Sequence, residues 1–152
     1  MKKQIRGKDY IGVGVGAVII NKKGQVLLIR RGPKSKNEVG MWGIPGGAVE
    51  YGEGLEDAIK REVREELAIE ITPLKILSMV NHIIEKDGQH WVTASFVSQL
   101  AKGTPKIQEK GKLDRIKWIS IDDIVNLENV SHPALEALLE FKKRFNELSD
   151  FF

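Results

Sequence analysis

Short apolar runs separated by turn residues dominate the hydrophobic pattern, and they predict a chain of strands. Val and Ile are concentrated in the first of these runs, where glycines at alternate positions indicate close approach of a neighbouring backbone or a ligand. The turn signals between the runs are Asn21-Lys22-Lys23-Gly24, Pro45-Gly46-Gly47 and Asp87-Gly88. The predicted strands cover residues 11–21, 25–30, 42–45, 74–85, 90–97 and 114–119.

In two segments the apolar residues recur with the period of a helix. A shorter helical segment precedes the second of them. We predict helices over residues 55–67, 121–127 and 133–148. Ser131 is the predicted N-cap of the last helix, whose apolar stripe is formed by Leu135, Leu138, Leu139 and Phe145. The order β-β-β-α-β-β-β-α-α predicts a mixed sheet with helices packed on it, an α/β or α+β fold, in a single domain over residues 1–152.

The first helix carries acidic residues on its apolar side. At roughly 100° per residue, Glu62 and Glu66 fall inside the apolar arc and Glu65 lies at its edge. Asp57, Lys60 and Arg64 lie on the opposite face. The apolar arc itself consists of Leu55, Ala58, Ile59, Val63 and Leu67. The pattern therefore predicts carboxylates that face the protein interior, with a solvated acidic face as the alternative.

The cost of this arrangement points to a metal ion. Glutamates at i, i+3 and i+4 have Cβ atoms about 5–6 Å apart, so each like-charge pair costs on the order of 3 kcal/mol at an effective dielectric of about 20. Three such pairs would consume much of a typical stability of about 5–15 kcal/mol. A divalent cation removes the repulsion, and carboxylate ligands without Cys favour Mg²⁺ or Mn²⁺ over zinc.

The loop before this helix carries residues to which we assign structural roles. Gly47 lets the backbone approach an ion or a phosphate closely. Glu53 lies just before the helix and Arg61 two turns into it, so an ion pair between them would tie the loop to the helix. On the helical wheel Arg61 points about 80–100° away from the row of Glu62 and Glu66, which predicts a scaffolding role away from the ion.

Composition narrows the functional classes without choosing among them. The chain has 152 residues, 41% of them hydrophobic and 30% charged, which is typical of a globular protein. It contains no cysteine, so disulfides, a thiolate nucleophile and a Cys-ligated zinc site are excluded. The net charge of +3 is lower than nucleic-acid-binding domains usually carry. The longest apolar stretch, residues 11–20, is half of what a bilayer span requires, and residues 1–6 do not resemble a secretory signal.

The loop and the helix together resemble the Nudix box, G-x5-E-x7-R-E-U-x-E-E-x-G-U, in which U is a bulky aliphatic residue. The match runs from Gly47 through Glu53 and Arg61 to Ile69, and eight of the nine specified positions agree. Ala68 stands where the family has glycine, so we expect a change in the turn that ends the helix. The resemblance implies an α/β/α sandwich with a mixed sheet, in which the box forms a loop–helix–loop.

The resemblance also implies roles for individual residues. Glu62, Glu65 and Glu66 would be the metal ligands, and the backbone carbonyl of Gly47 a further one, for Mg²⁺ or Mn²⁺. Many Nudix proteins add an acidic residue from a later loop, for which Glu109 is the candidate and Asp114 the fallback. Either Glu65 or Glu109 would take the proton of the attacking water. Arg30 and Arg31 are candidates for binding phosphate, with two solvated basic residues as the alternative. His82 and Trp91 are candidates for flanking a base, with a place in the core as the alternative.

Residues 12–16, 46–53 and 80–86 are similar to the MutT-related branch of the family. This similarity implies hydrolysis of a nucleoside triphosphate to the monophosphate and pyrophosphate. ADP-ribose or another nucleoside diphosphate derivative is the alternative substrate, and a non-catalytic nucleotide-binding module is the alternative from another class. We expect a small nucleotide as the partner rather than nucleic acid or a membrane, with a homodimer left open, and a cytoplasmic location.

Overall fold

The computed structural model describes residues 1–151, and its centre is one mixed sheet of seven strands. The strands are rich in residues with a high propensity for β structure, and Val, Ile and Leu fill both faces of the central strands. The strands are β1 (Gly12–Ile20), β2 (Gln25–Arg31), β3 (Trp42–Gly43), β4 (Gly46–Ala48), β5 (Glu70–Ile84), β6 (Gln89–Lys102) and β7 (Leu113–Ser120). Both β5 and β6 are longer than predicted, because they continue to pair through bulges in β5 that include Pro73.

The first hairpin opens into a gap that positions the site. β1 and β2 pair only at Ile20 and Val26, next to the turn, and then diverge. β3 pairs with β2, and β4 pairs with β1 at Gly14–Gly16, so the segment between them fills the gap. The prediction that Gly46 and Gly47 form a turn is therefore wrong: they extend β4, because the diverging β1 offers them an unpaired edge. Elsewhere β1 runs parallel to β6, β5 is the outer neighbour of β6, and β7 pairs with β2.

Alternation along the central strands produces two cores. On β1, Ala17 and Ile19 face one core, and Val18 and Ile20 face the other. The first core is covered by helix α1 (Leu55–Leu67) and the second by helix α2 (His132–Leu148). Because side chains alternate between the two faces of a strand, an unbroken apolar run such as that of β1 requires a layer on each side. The predicted mixed sheet between helices is confirmed.

The helices agree with the sequence in position and differ in detail. α1 has the predicted bounds, and the predicted helix at 121–127 is a 3₁₀ helix over Ile121–Asn126. In α2, Leu138 is buried but Leu139 is 42% exposed, so its place in the apolar stripe was wrong. The buried face instead includes Phe141 and the small residues Ala134 and Ala137, and small residues let a helix lie close to a sheet. Ser131 occupies the N-cap position, but its side chain makes no capping bond there.

Across residues 1–151, no helix combines the length and the apolar character needed to traverse a bilayer.

Candidate active site

Glu66 is the acidic residue of α1 that the fold buries most deeply. Its side chain points from the last turn of the helix into the first core, and the residue is 7% exposed. The N–H of Gly46, on β4, donates to its Oε1 at 3.2 Å. Burial, followed by the charge of nearby Glu62, raises the pKa of Glu66 well above its ordinary value. This carboxylate is therefore a group whose charge the surrounding protein stabilises poorly.

Glu62 lies one turn earlier and contacts the same strand. A Cβ atom on Gly47 would collide with the carboxylate of Glu62, so glycine at this position of β4 lets the carboxylate lie directly against the strand. Burial raises the pKa of Glu62 in spite of the opposing effect of Arg61, and the charges of Glu65 and Glu109 act in the same direction as burial. The inward-facing carboxylates predicted by the helical wheel are thus present at Glu62 and Glu66.

Arg61 connects the loop, the strand and the helix. Its Nε and Nη2 bind the two carboxylate oxygens of Glu53 at 2.7 and 2.8 Å, the fork-like pairing that arginine favours. Nη2 also donates to the carbonyl of Ala48 at 3.0 Å, while Nη1 reaches Glu62 at 3.0 Å and Glu65 at 3.3 Å. The expectation that Arg61 stays away from the carboxylate row was wrong, because the helical wheel gives the direction of Cβ and not the reach of a long side chain.

Glu109 is the residue of the later loop that approaches this cluster. Its charge contributes to the raised pKa values of both Glu62 and Glu66. The backbone holds the loop in place, since the N–H of Gln108 donates to the carbonyl of Glu66 at 2.9 Å. Lys112 binds the Glu109 carboxylate at 2.9 Å. The structure thus brings Glu109 to the glutamates of α1.

Asp114 and Arg30 bind each other. Arg30 Nε and Nη2 donate to the two oxygens of Asp114 at 2.7 and 2.9 Å, and the guanidinium lies 5.9 Å from the centre of the Trp42 ring. The same pairing lowers the pKa of Asp114. Both residues that were candidates from sequence are therefore engaged in an ion pair across β2 and β7.

Arg31 has a different environment, although it is adjacent in the chain. Its Nε donates to the carbonyl of Asn37 at 2.8 Å. Burial lowers its pKa, and the charges of Glu38 and Glu66 oppose that effect. Of the two arginines predicted to bind phosphate, Arg31 is thus the one whose pKa is influenced by the charge of buried Glu66.

His82 and Trp91 lie at the same end of the sheet. His82 Nε2 is 2.8 Å from Glu38 Oε1, and both side chains are largely buried. The ring of Trp91 rests against the backbone of Gly7 and Gly12, where added Cβ atoms would clash with it. Its Nε1 donates to the side chain of Gln89 at 2.9 Å. These contacts agree with the interpretation of Trp91 as a packing residue.

Comparison with known proteins identifies the family. The NUDIX domain model matches residues 11–141. The chain belongs to the Nudix family. A MutT NUDIX hydrolase from Burkholderia pseudomallei has the same fold with a TM-score of 0.77 at 34% identity, over 86% of this chain and 98% of that one.

Two relatives known from sequence match this Nudix chain over part of their own length. The uncharacterized Nudix hydrolase YvcI of Bacillus subtilis is 34% identical over 114 residues, which are 72% of this chain and 66% of YvcI. The 8-oxo-dGDP phosphatase NUDT18 of Danio rerio is 36% identical over 93 residues, or 60% of this chain. The match spans 26% to 38% of the length of this and two further curated relatives, so they carry additional sequence.

The carboxylates of this Nudix chain fit a divalent cation in their chemistry. Within residues 1–151, no group of three or more Asp, Glu, His or Cys side chains is arranged to hold a metal ion, and two of the helix glutamates are bound to Arg61 instead. The donors are nevertheless all oxygen atoms, which hard cations prefer. Buried Glu66 has a single hydrogen bond from the described chain and a raised pKa, so a cation would stabilise its charged form.

At the end of α1, Ala68 adopts the left-handed conformation, with φ 56° and ψ 34°, and its N–H donates to the carbonyl of Arg64. This is the conformation that glycine adopts with least strain. The alanine in the Nudix box thus adds strain to the turn without preventing its left-handed geometry.

Sequence reasoning predicted a polar loop at residues 31–41 but missed the contacts that it makes. Asn37, Glu38 and Gln89 contact Arg31, His82 and Trp91 at the site end of the sheet. The only feature of the loop in the sequence is its polar composition. Many loops share this composition, and it does not indicate which residues the loop contacts.

Proposed function

We propose that this chain hydrolyses the diphosphate linkage of a nucleoside triphosphate, with Mg²⁺ or Mn²⁺, to give the monophosphate and pyrophosphate. The observation that carries the proposal is the carboxylate of Glu66, buried beside Glu62 at the edge of β4. A buried carboxylate without an ion-pair partner is costly for a scaffold, and such groups are concentrated at functional sites.

Glu62, Glu65 and Glu66 would hold the cation, together with the carbonyl of Gly47. When bound, a divalent cation neutralises the charge of a diphosphate and makes a water molecule more acidic. The chain contributes the orientation of these donors. Arg61 ties Glu62 and Glu65 to the loop that carries Glu53, and Gly46 fixes Glu66 by its N–H. Donors that are held in advance need little rearrangement when the substrate arrives.

Two carboxylates are candidates for accepting the proton of the attacking water. Glu65 is 52% exposed in its side chain and binds Arg61, whereas Glu109 is 28% exposed and binds Lys112. Each is therefore reachable from solvent and adjacent to a cation that opposes proton uptake. Loss of Glu109 would affect turnover more than substrate binding if it is the base.

Arg31 would bind a phosphate group of the substrate. The charge of Glu66 acts on its guanidinium, which supports a position within reach of phosphates held at the carboxylates. Arg30 is the weaker candidate, since Asp114 occupies two of its donors.

The MutT resemblance supports a triphosphate substrate, and the NUDT18 relative is named for a nucleoside diphosphate. A panel of nucleoside triphosphates, nucleoside diphosphates and ADP-ribose, assayed with Mg²⁺ by phosphorus NMR, tests the proposal. We expect nucleoside monophosphate and pyrophosphate as the products. Release of inorganic phosphate from a diphosphate, or cleavage of ADP-ribose alone, would replace the proposed substrate class.

Glu66→Gln and Glu56→Gln form a matched pair for the same assay, since both lie on α1 but Glu56 is exposed. We expect Glu66→Gln to lower turnover by about 10²-fold or more and Glu56→Gln to leave it unchanged. Nucleotide binding without turnover in the parent would instead indicate a non-catalytic module.

A further inference from the structure

The loop of residues 32–41, between β2 and β3, is tied to the sheet by side-chain contacts. Asn37 is central to them, since its carbonyl accepts from Arg31 Nε at 2.8 Å and its Nδ2 donates to Gln89 Oε1 at 3.0 Å. The next residue, Glu38, binds His82 at 2.8 Å. Two consecutive loop residues are thus contacted from three strands: Asn37 by one residue of β2 and one of β6, and Glu38 by one residue of β5.

Gln89 is the fixed end of this connection. It begins β6 and is 8% exposed, and its Oε1 also accepts a hydrogen bond from Trp91 Nε1 at 2.9 Å. Trp91 is itself immobilised against the backbone of Gly7 and Gly12. A buried oxygen with two donors from different elements has little freedom to move, so it fixes the position of Asn37.

The contact with Asn37 determines how Arg31 is oriented. A guanidinium is planar, so holding its Nε also restricts the directions in which its two Nη groups point. Across residues 1–151, no hydrogen bond or ion pair to protein engages either Nη of Arg31, although the charges of Glu38 and Glu66 act on the group. The loop therefore engages the Nε–H edge of the guanidinium and leaves the two Nη groups without a protein partner among the described residues.

We propose that Gln89 and Asn37 are positioning residues that orient Arg31 towards the diphosphate of the substrate. This inference rests on the proposed function, in which Arg31 binds phosphate. Neither residue touches the diphosphate: Gln89 acts through the side chain of Asn37, and Asn37 through its backbone carbonyl. A purely structural role, in which the contacts only close the loop, is the competing explanation.

Calorimetric binding of methylenebisphosphonate, a diphosphate that cannot be hydrolysed, tests the inference in the presence of Mg²⁺. Gln89→Met removes the acceptor at nearly constant size, and Asn37→Ala removes the amide donor but keeps the carbonyl that Arg31 uses. We expect each to weaken binding about tenfold, as for the loss of one well-placed charged hydrogen bond. Gln25→Met is the matched control, because Gln25 accepts a similar bond from Asn21 at the opposite end of the sheet, at 3.0 Å; it should bind like the parent.

Combination with Arg31→Met separates positioning from loop closure. If Gln89 acts through Arg31, Gln89→Met should add no further loss of affinity in the Arg31→Met background. The Arg31 Nε–H resonance should exchange faster with solvent in Gln89→Met and in Asn37→Ala than in the parent. Parent-like affinity in Asn37→Ala, or equal losses with and without Arg31, would overturn the inference. Asn37→Ala decides the matter if Gln89→Met does not fold.

Failure of the proposed function would look different. A parent protein that binds the bisphosphonate but cleaves no nucleotide would refute hydrolysis, and the comparison of variants would still decide the role of Gln89. A parent that does not bind the bisphosphonate would overturn the inference itself.

Discussion

The ion pair of Glu53 and Arg61 can be removed from either side, and the contacts predict unequal losses. Glu53→Gln removes the charge from two of the five hydrogen bonds of Arg61, whereas Arg61→Met removes all five. The three additional bonds of Arg61 fix Ala48, Glu62 and Glu65. Glu53→Gln therefore measures how much the attachment of the loop contributes to catalysis. Arg61→Met measures the contribution of the loop together with that of the positioned carboxylates.

We expect kcat/KM to fall about tenfold in Glu53→Gln and at least about 10²-fold in Arg61→Met, because small displacements of catalytic groups cost this much. The double variant should equal Arg61→Met, since Glu53 has lost its partner there. Steady-state hydrolysis of the best substrate from the panel supplies the four rates of the cycle. Thermal unfolding of each variant checks that the protein remains folded.

The pH dependence gives a second measurement on the same proteins. Arg61, followed by the N–H of Glu50, lowers the pKa of Glu53 to about 2. A depressed pKa contributes stability above the ordinary glutamate pKa, and that contribution is lost as the pH falls towards about 2. The ratio of the parent and Glu53→Gln rates should therefore be constant between about pH 6 and 9.

Two results would refute this reasoning. Multiplying losses in the double variant would show that Glu53 and Arg61 act separately, and Glu53 would become a candidate metal ligand. Equal losses in Glu53→Gln and Arg61→Met would show that the bonds of Arg61 to Glu62 and Glu65 do not matter for catalysis.

Four further changes test the site and its helix. Chelation should abolish hydrolysis and Mg²⁺ or Mn²⁺ should restore it, so activity that survives thorough chelation contradicts the metal requirement. Glu65→Gln and Glu66→Gln should each lower kcat by about 10²-fold; because burial and Glu62 raise the pKa of Glu66, metal-free Glu66→Gln should melt no lower than the parent, and a clearly lower Tm would count against this account. Glu109→Gln should lower kcat more than it changes KM, and parent-like kinetics would exclude Glu109 as the base. Ala68→Gly should raise the free energy of unfolding by about 1 kcal/mol in urea titrations, since φ is 56° there, and destabilisation would show that the left-handed turn carries no strain.

Local patterns were sufficient to predict the helix of the site and the direction of its carboxylates. The bounds of α1 follow from its own residues, and Glu62 and Glu66 face inward because helical periodicity fixes the direction of each Cβ. The strands other than β4 were located in the same way, since alternation along a strand is also a local property. Their ends were less predictable, because β5 and β6 extend as far as each finds a partner.

Partners that are distant in the chain required the tertiary structure. Sequence offered Glu109 and Asp114 as alternatives; Arg30 binds Asp114 across 84 positions, which leaves Glu109 beside the glutamates of α1. Gly46 was expected in a turn, and only the divergence of β1 and β2 makes it part of a strand whose N–H reaches Glu66.

The sequence by itself thus determined the Nudix box, the identity of its acidic side chains and the face on which they lie. Only the tertiary structure decided which arginine and lysine side chains contact the carboxylates of the site, and which residues orient Arg31. The physical reason is one of range: periodicity and turn chemistry act over a few residues, whereas Asn37 and Gln89 are 52 positions apart and become neighbours only when the sheet has formed.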